Sequence, residues 1–436
     1  MSLPSAIPNL PRLRDHSADR RMLMLALAAM LVGTGGAMGA WLLLKLIALS
    51  TNLFWFGRFS FAPAEIANHR LGWLALLVPV AGSLIVGLMA RFGSEKIRGH
   101  GIPEAIEAIL YGESRLSLKV AILKPLSSAI SIGSGGPFGA EGPIIMTGGA
   151  VGSLFAQCFE LSAAERKTLL VSGATAGMTA IFGTPMAAVL LALEILLFEW
   201  KPRSFVPVAV AVLVSWAWRP FLVGSGPLFP FSAPDAGGVT PLLLSLLLGI
   251  VVGLESAFLS SCLYRIEDLF HRMPVHWMWW PALGAVVVGI GGLIDPHVLG
   301  AGYESIRQLL EGSMTMKAIA MLLVVKGIVW LIALGSGTSG GVLAPLLMLG
   351  GALGALAGQF LPGGAGLWAM VGMAGIMSGA MRAPLTGAVF AVELTGHFAA
   401  LPETMAAAAA AYAISVLLLR RSILTEKVAR RGHHIV

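Results

Sequence analysis

The chain has 436 residues, of which 57% are hydrophobic and only 12% charged, about half the roughly 25% usual for a soluble domain. Its formal net charge is +7, and 54 Gly and 24 Pro interrupt its apolar runs. These figures exclude a soluble enzyme, a disordered chain and a secreted disulfide scaffold, and point to a polytopic membrane protein with broken helices.

In chain order, residues 1–21 form an N-terminal segment bearing Arg12, Arg14, Arg20 and Arg21. The first apolar run, 22–50, is too long for a signal peptide and lacks a small-residue cleavage site, so it reads as a retained helix. Apolar segments at 70–90, 118–132, 143–159, 168–198 and 204–222 complete a first unit, 22–222. A linker, 223–239, leads to segments at 240–263, 278–294, 318–334, 342–361, 366–396 and 402–419, a second unit of 240–420. The C-terminal segment, 421–436, carries Arg421, Lys427, Arg430 and Arg431 just after Arg420. Basic residues flanking both ends place both termini in the cytoplasm by the positive-inside rule. They imply a bilayer rather than a nucleic-acid partner.

Several segments are shorter than the ~20 residues that span a bilayer. Backbone breaks survive at that depth only where protein or a water-filled cavity surrounds them. Cys158 and Cys262 lie in apolar surroundings and read as buried thiols, neither a disulfide framework nor a zinc site. No HExxH, GxSxG or Walker A pattern occurs, so no metal or cofactor is expected.

An internal repeat organises the chain. Residues 133–154, GSGGPFGAEGPIIMTGGAVGSL, align without gaps on 335–356, GSGTSGGVLAPLLMLGGALGAL, with 11 of 22 positions identical. Lys124 matches Lys326 at the same offset of 202, GHG at 99–101 matches GAG at 300–302, and Ala192 and Glu194 match Ala391 and Glu393. The loops of the first unit carry Arg91, Lys96, Arg98, Arg166, Lys167, Lys201 and Arg203, whereas the matched loops near 292–300, 363–368 and 397–403 carry no Lys or Arg. Loops on one side of a membrane share their basic excess. The contrast therefore predicts an inverted repeat.

The matched Gly-rich segments each precede a helix read as starting at Pro143 or Pro345, where the missing N–H costs nothing. Free N–H groups and the helix dipole at such a start favour an anion, and Gly lets the backbone approach it. The structural alternative is close helix packing by small residues; duplication with matched lysines favours the anion site. Glu141 lies in the first segment, and a carboxylate inside a membrane is costly and rare. As an anion it can fill the place of a permeant anion; protonated, it can swing away, acting as gate and proton carrier rather than a mere helix cap. Its repeat partner is Leu343. Lys124 and Lys326 lie within apolar runs, where lysines either snorkel or support positive potential along an anion path; their symmetry favours the second.

GHGIPE (Gly99 to Glu104), GAEGP (Gly139 to Pro143) and GGVLAP (Gly340 to Pro345) resemble the three signature stretches of the CLC family of chloride channels and chloride/proton exchangers, GSGIP or GHGVP, G-K/R-EGP and GxFxP. The resemblance runs from about residue 22 to 432. It implies an all-α integral membrane fold, a CLC-like inverted repeat of many tilted and broken helices, of bacterial type without C-terminal CBS domains. It also implies a homodimer with one anion pathway per subunit and Glu141 as the gate; the lack of other targeting signals points to the inner (cytoplasmic) membrane.

The same resemblance implies a central anion site made by the N–H groups of Val342 and Leu343, and an outer part around Gly139, Ala140 and Gly142. His100, Gly101 and Ile102 fall where the family's serine-type ligand lies. The His is read equally as a hydrogen-bond donor or pH-dependent charge and as a structural residue. Leu343 replaces the family's Phe, and Ala140 its basic residue. SILTEKVARRG (Ser422 to Gly432) resembles SIYTLKLxRRG, which puts Leu424 at the central tyrosine. In LALEILLFEW, Glu194 fits the first acid of a Glu-Glu pair and Ile195 replaces the second, internal one. Glu194 and Glu393 are read as structural acids held by backbone or hydroxyl donors.

Ile195 and Leu424 favour a passive, channel-like pathway for chloride or a similar monovalent anion, with proton-coupled exchange as the alternative. A remote alternative is an intramembrane enzyme using Glu141 and His100. Among lesser features, Glu104 and Glu107 suit the start of a short helix. Trp277, Trp279 and Trp280 read as interfacial anchors, and His433 and His434 as a solvated basic tail.

Overall fold

The computed structural model describes residues 20–234 and 237–433; Arg12, Arg14 and His434 lie outside them. Within these residues the chain is helical, and two isolated backbone bridges are its only extended pairings. The first unit holds α1 (Arg20–Thr51), α2 (Leu77–Phe92), α3 (Ile102–Tyr111), α4 (Leu118–Gly133), α5 (Glu141–Gln157), α6 (Ala163–Phe182), α7 (Pro185–Leu191) and α8 (Pro202–Leu222). The second holds α9 (Val239–His271), α10 (Trp280–Ile294), α11 (Tyr303–Glu311), α12 (Met316–Gly335), α13 (Leu343–Gly358), α14 (Ala365–Met381), α15 (Pro384–Thr395) and α16 (Leu401–Leu418). A last helix, α17 (Ile423–Arg430), turns back beneath α3.

Seven of the helical stretches are long and apolar enough to cross a membrane. Shorter ones, α5 and α13 among them, are held at depth by burial in protein, as broken helices must be. The two units repeat the same pairings: α1 packs on α8 as α9 packs on α16, and α5 on α6 as α13 on α14. Small residues allow the closest approaches, Gly148 against Gly173 and Gly350 against Gly372. Repeat mates also meet each other, α2 with α10 and α7 with α15. This is the inverted-repeat architecture that the loop charges predict.

Some expectations need correction. The runs 168–198 and 366–396 each break into two helices. Gly183 (φ 68) and Arg382 (φ 55) leave the helical region. Thr184 and Ala383, each before a proline, take nearly the same non-helical conformation, φ −124 and −127 with ψ 72 and 75. Hydropathy is uniform across both breaks, which hides them. Helices α5 and α13 begin at Glu141 and Leu343, two residues before the prolines; a proline fits anywhere in a first turn, so it marks the start only loosely. Cys158 is exposed at the end of α5 and Cys262 half-buried, because apolar neighbours on a membrane helix can face lipid. His433 stacks on Tyr111 at 4.3 Å and sits 3.5 Å from Glu107 instead of being solvated. Trp280 is buried and Trp277 receives the Arg98 guanidinium at 4.4 Å, leaving Trp279 as the exposed one of the three.

Candidate functional site

Four loop-to-helix junctions converge, those opening α3, α5, α11 and α13. The segments before α5 and α13 pair back to back: Gly139 N–H donates to Gly341 O at 3.1 Å and Gly341 N–H to Gly139 O at 2.9 Å. The α3 loop joins them, with Gly99 N–H on Thr338 O at 2.8 Å and Gly340 N–H on Gly99 O. Gly300 N–H on Gly135 O at 3.1 Å ties in the α11 loop. The approach is so close that a Cβ on Gly142 would strike the carbonyl oxygen of His100. Gly101, at φ 92, must likewise be glycine, since its Cβ would meet the Gly142 backbone.

Glu141, wholly buried, turns its carboxylate into this junction. Its Oε1 accepts a hydrogen bond from the backbone N–H of Leu343, and the N–H groups of Ala344 and of Glu141 itself are close by. Its Oε2 has no hydrogen-bond partner. The carboxylate is therefore seated at the N-terminus of α13, where free N–H groups and the dipole hold an anion. Ala140 and Val342, the residues just before α5 and α13, are both fully buried beside it.

The two lysines do the same thing in each unit. Lys124 Nζ donates to Ile97 O at 2.8 Å, Gly99 O at 2.9 Å and Ser339 Oγ at 3.1 Å. Lys326 Nζ donates to Val298 O at 2.9 Å and Gly300 O at 3.0 Å. Each ammonium clasps the loop that enters a short helix, and each is fully buried. Their spacing in sequence reflects this shared task as well as any field they add.

His100 is buried, and neither ring nitrogen has a partner. Ile102 starts α3, and Gly101 N–H caps onto Glu104 Oε2 at 2.8 Å, while Glu104 Oε1 meets Arg431 at 2.6 Å. Leu424 is buried near the start of α17 and walls a cavity of about 250 Å³ together with Ile195, Glu194 and Arg382. Neither Glu141 nor Leu343 lines that cavity.

Two larger cavities approach from opposite faces. One, of about 670 Å³, reaches Gly99 and Gly337 through Arg98, Lys427, Arg430 and Arg431, with Glu267 and Asp268 among them. Five basic and four acidic residues line it, the slight basic excess expected of a mouth on the cytoplasmic side. The other, of about 380 Å³, is lined by Lys45, Glu65, His297, Glu304 and Tyr303. At this outer mouth burial and the nearby Glu304 charge raise the carboxyl pKa of Glu65.

Glu194 and Glu393 are structural acids used reciprocally. Glu194 accepts from Leu385 N–H (3.0 Å), Thr386 N–H (3.3 Å) and Thr386 Oγ (2.9 Å) at the start of α15. Glu393 accepts from Met186 N–H (3.1 Å) and Ala187 N–H (2.6 Å) at the start of α7. Sequence reasoning found the acids but not their cross-over. It missed Tyr303 altogether, although that residue follows GAG as Ile102 follows GHG. Among the described residues no group of three or more His, Cys, Asp or Glu side chains could hold a metal.

The profile of one protein family, voltage gated chloride channel, matches residues 81–416. The chain belongs to that family, the CLC family. It is a family of membrane transport proteins, which removes the enzyme reading of Glu141 and His100. A putative chloride channel protein ClcB-like of Ralstonia nicotianae is 29% identical over 370 residues, 82% of this chain and 86% of its own length. An H(+)/Cl(-) exchange transporter ClcA of Salmonella paratyphi B is 29% identical over 398 residues, 87% of this chain and 83% of its own. The fold resembles the crystal structure of a slow cyanobacterial Cl-/H+ antiporter, with TM-score 0.80 and 21% identity over 95% of this chain and 99% of that one. A CLC-type fluoride/proton antiporter gives TM-score 0.77 and 20% identity over 92% and 97%. The chain is thus a multi-pass CLC anion-transport protein.

Proposed function

We propose that the protein exchanges chloride, or a similar monovalent anion, for protons across the inner membrane, as a homodimer with one pathway in each subunit. The observation that carries this is the Glu141 carboxylate, buried on the Leu343 N–H where the loops reached by the two cavities converge. A carboxylate and a permeant anion compete for the same donors, so anion entry and carboxylate departure are one event. A carboxyl that takes its proton from water on the outside, carries it back to its seat and gives it up toward the inside moves a proton against the anion. The relatives named as H(+)/Cl(-) exchange transporters support this reading over the passive one.

The backbone N–H groups of Val342 and Leu343 form the central anion site, and those from Gly139 to Gly142 its outer part. With leucines at 343 and 424, the backbone and the helix dipoles supply most of the binding. The unpartnered ring of His100 is the remaining side-chain donor on the inner approach. Lys124 and Lys326 hold the loops and add positive potential. The passive reading rested on Ile195 and Leu424. Both border the cavity of about 250 Å³ beside Arg382, Arg420 and Arg421, which leaves room for water at the place of the missing internal acid.

Purified protein in phospholipid vesicles tests the proposal. An outward chloride gradient should drive protons inward, uphill, in a fixed ratio to chloride. Chloride movement with no accompanying proton movement would overturn it in favour of passive conduction.

A further inference from the structure

Tyr303 opens α11 directly after Gly302, and Lys326 fixes its loop through Val298 O and Gly300 O. The ring packs against Phe229, with centroids 6.0 Å apart. The hydroxyl is buried and has no hydrogen-bond partner. The residue lines the outer cavity. The backbone N–H of Ala140 comes within reach of the phenol oxygen, and the charge of Glu141 acts on it from further off. Glu141 Oε2 is itself buried and unpartnered. Two orphaned polar atoms, one donor and one acceptor, therefore belong to the same cluster of helix starts, whose loops are tied together by Gly300 N–H on Gly135 O. Buried groups left so are costly, and they persist where another state of the protein joins them.

We propose that Tyr303 is the outer latch of Glu141, its hydroxyl receiving the carboxyl when that group leaves Leu343 and turns toward the vestibule. This rests on the exchange reading above. An arriving anion takes the Leu343 N–H. The freed carboxylate moves outward and takes a proton from vestibule water. The Tyr303 O–H donates to the carbonyl oxygen of the protonated acid, and each group keeps its own proton. Tyr303 is thus a positioning residue, holding Glu141 out long enough for the anion to pass. The charged groups facing this step are Glu141 itself, Lys45 on α1, Glu65 in the loop after α1, His297 with Asp295 before α11, and Glu304 with Arg307 on α11. Lys326 stands behind the loop.

Tyr303→Phe keeps the ring and removes the O–H. Chloride and proton fluxes of wild type and variant are compared in vesicles from acidic to neutral pH. The expected result is a turnover about tenfold lower, the factor one ordinary hydrogen bond supplies. The pH profile should also shift to more acid values, because the protonated outward form loses its partner. In a Glu141→Ala background, with no carboxyl to hold, Tyr303→Phe should leave chloride flux unchanged. An unshifted pH profile for Tyr303→Phe, or an equal loss in the Glu141→Ala background, would overturn the latch. On the wild type, the infrared carbonyl band of protonated Glu141 should lie at a hydrogen-bonded frequency; a free-acid band overturns the latch without any variant. A wild type that moves chloride without protons sinks the exchange reading instead, and the chloride pH profile still judges Tyr303.

Discussion

Glu141 and Leu343 are repeat mates, 202 positions apart, and they touch: the carboxylate of one accepts the backbone N–H of the other. Gly139 and Gly341, also mates, are bridged to one another two residues earlier. The pseudo-twofold relating the units therefore passes between the starts of α5 and α13. This explains why a single acid suffices. At such an axis an acid from each unit would crowd two negative charges into one dry site, whereas one acid can be shared by both helix ends. Glu141→Gln should cut proton movement at least about 100-fold, the scale at which a lost proton-transfer group is felt, while chloride movement continues. Paired chloride and pH electrodes on the same vesicles check this. Proton transport persisting in Glu141→Gln would remove Glu141 from the mechanism.

The lysine clasps predict more than a field effect does. Three acceptors converge on Lys124 Nζ, two of them loop carbonyls and the third the Ser339 hydroxyl. Lys124→Met strands the carbonyls and should cost about 2–5 kcal/mol, read as a lower thermal midpoint in detergent together with weaker anion binding. Lys124→Arg is the sharper variant. It keeps the charge, but a planar fork cannot fill a site shaped for a compact ammonium. The clasp predicts loss in both variants. Wild-type stability and anion affinity in Lys124→Arg would leave charge alone as the role of Lys124.

Much of this fold was legible because inversion leaves traces in sequence that packing cannot erase. Matched Gly-rich segments, matched lysines and opposite loop charges survive because each serves a local need: a tight loop, a carbonyl clasp, an orientation in the membrane. What escaped notice depends on contacts between units. The breaks at Gly183 and Arg382 lie inside unbroken hydropathy, and only the following Thr-Pro and Ala-Pro pairs hint at them. Tyr303 matters through the cluster it shares with Glu141, from another helix start, and no pattern within α11 records that. Nor does apolar composition separate lipid from protein, so Cys158 read as buried and is exposed.

The reciprocal acids test the pairing of α7 with α15 directly. Glu194 takes two backbone N–H groups from the first turn of α15, which carries Glu393, and Glu393 takes two from the first turn of α7, which leads into Glu194. Helix starts leave such donors open, and an acid there also meets the positive end of the dipole. Glu393→Ala and Glu194→Ala should each cost about 1–2 kcal/mol, the range for losing an N-terminal cap, seen as a lower thermal midpoint in detergent. Glu→Gln variants keep one acceptor and should lose less. Since these acids are read as struts, Glu194→Gln should keep the wild-type ratio of protons to chloride. A changed ratio would instead make Glu194, which lines the cavity of about 250 Å³ with Leu424, part of the proton route.

At the outer mouth, His297 Nδ1 lies 3.0 Å from Asp295 Oδ1, and the His297 backbone N–H reaches the same oxygen at 3.1 Å. The hydrogen bond to Asp295 raises the imidazole pKa, and the charges of Asp295 and Glu65 add to it against the opposing effect of burial. A raised folded-state value means the pair helps stability fully below the unfolded value near 6.5. That help fades as pH rises through the folded one. The same proton makes the vestibule more positive in acid, when an incoming anion is drawn in more strongly. Titration of His297 by proton NMR in detergent should place its midpoint above about 6.5. Asp295→Asn, which removes the paired charge, should bring that midpoint down. His297→Gln should make the external anion affinity less dependent on pH across the same window. A His297 midpoint at or below that of a free histidine would dissolve the pair and the link between vestibule charge and pH.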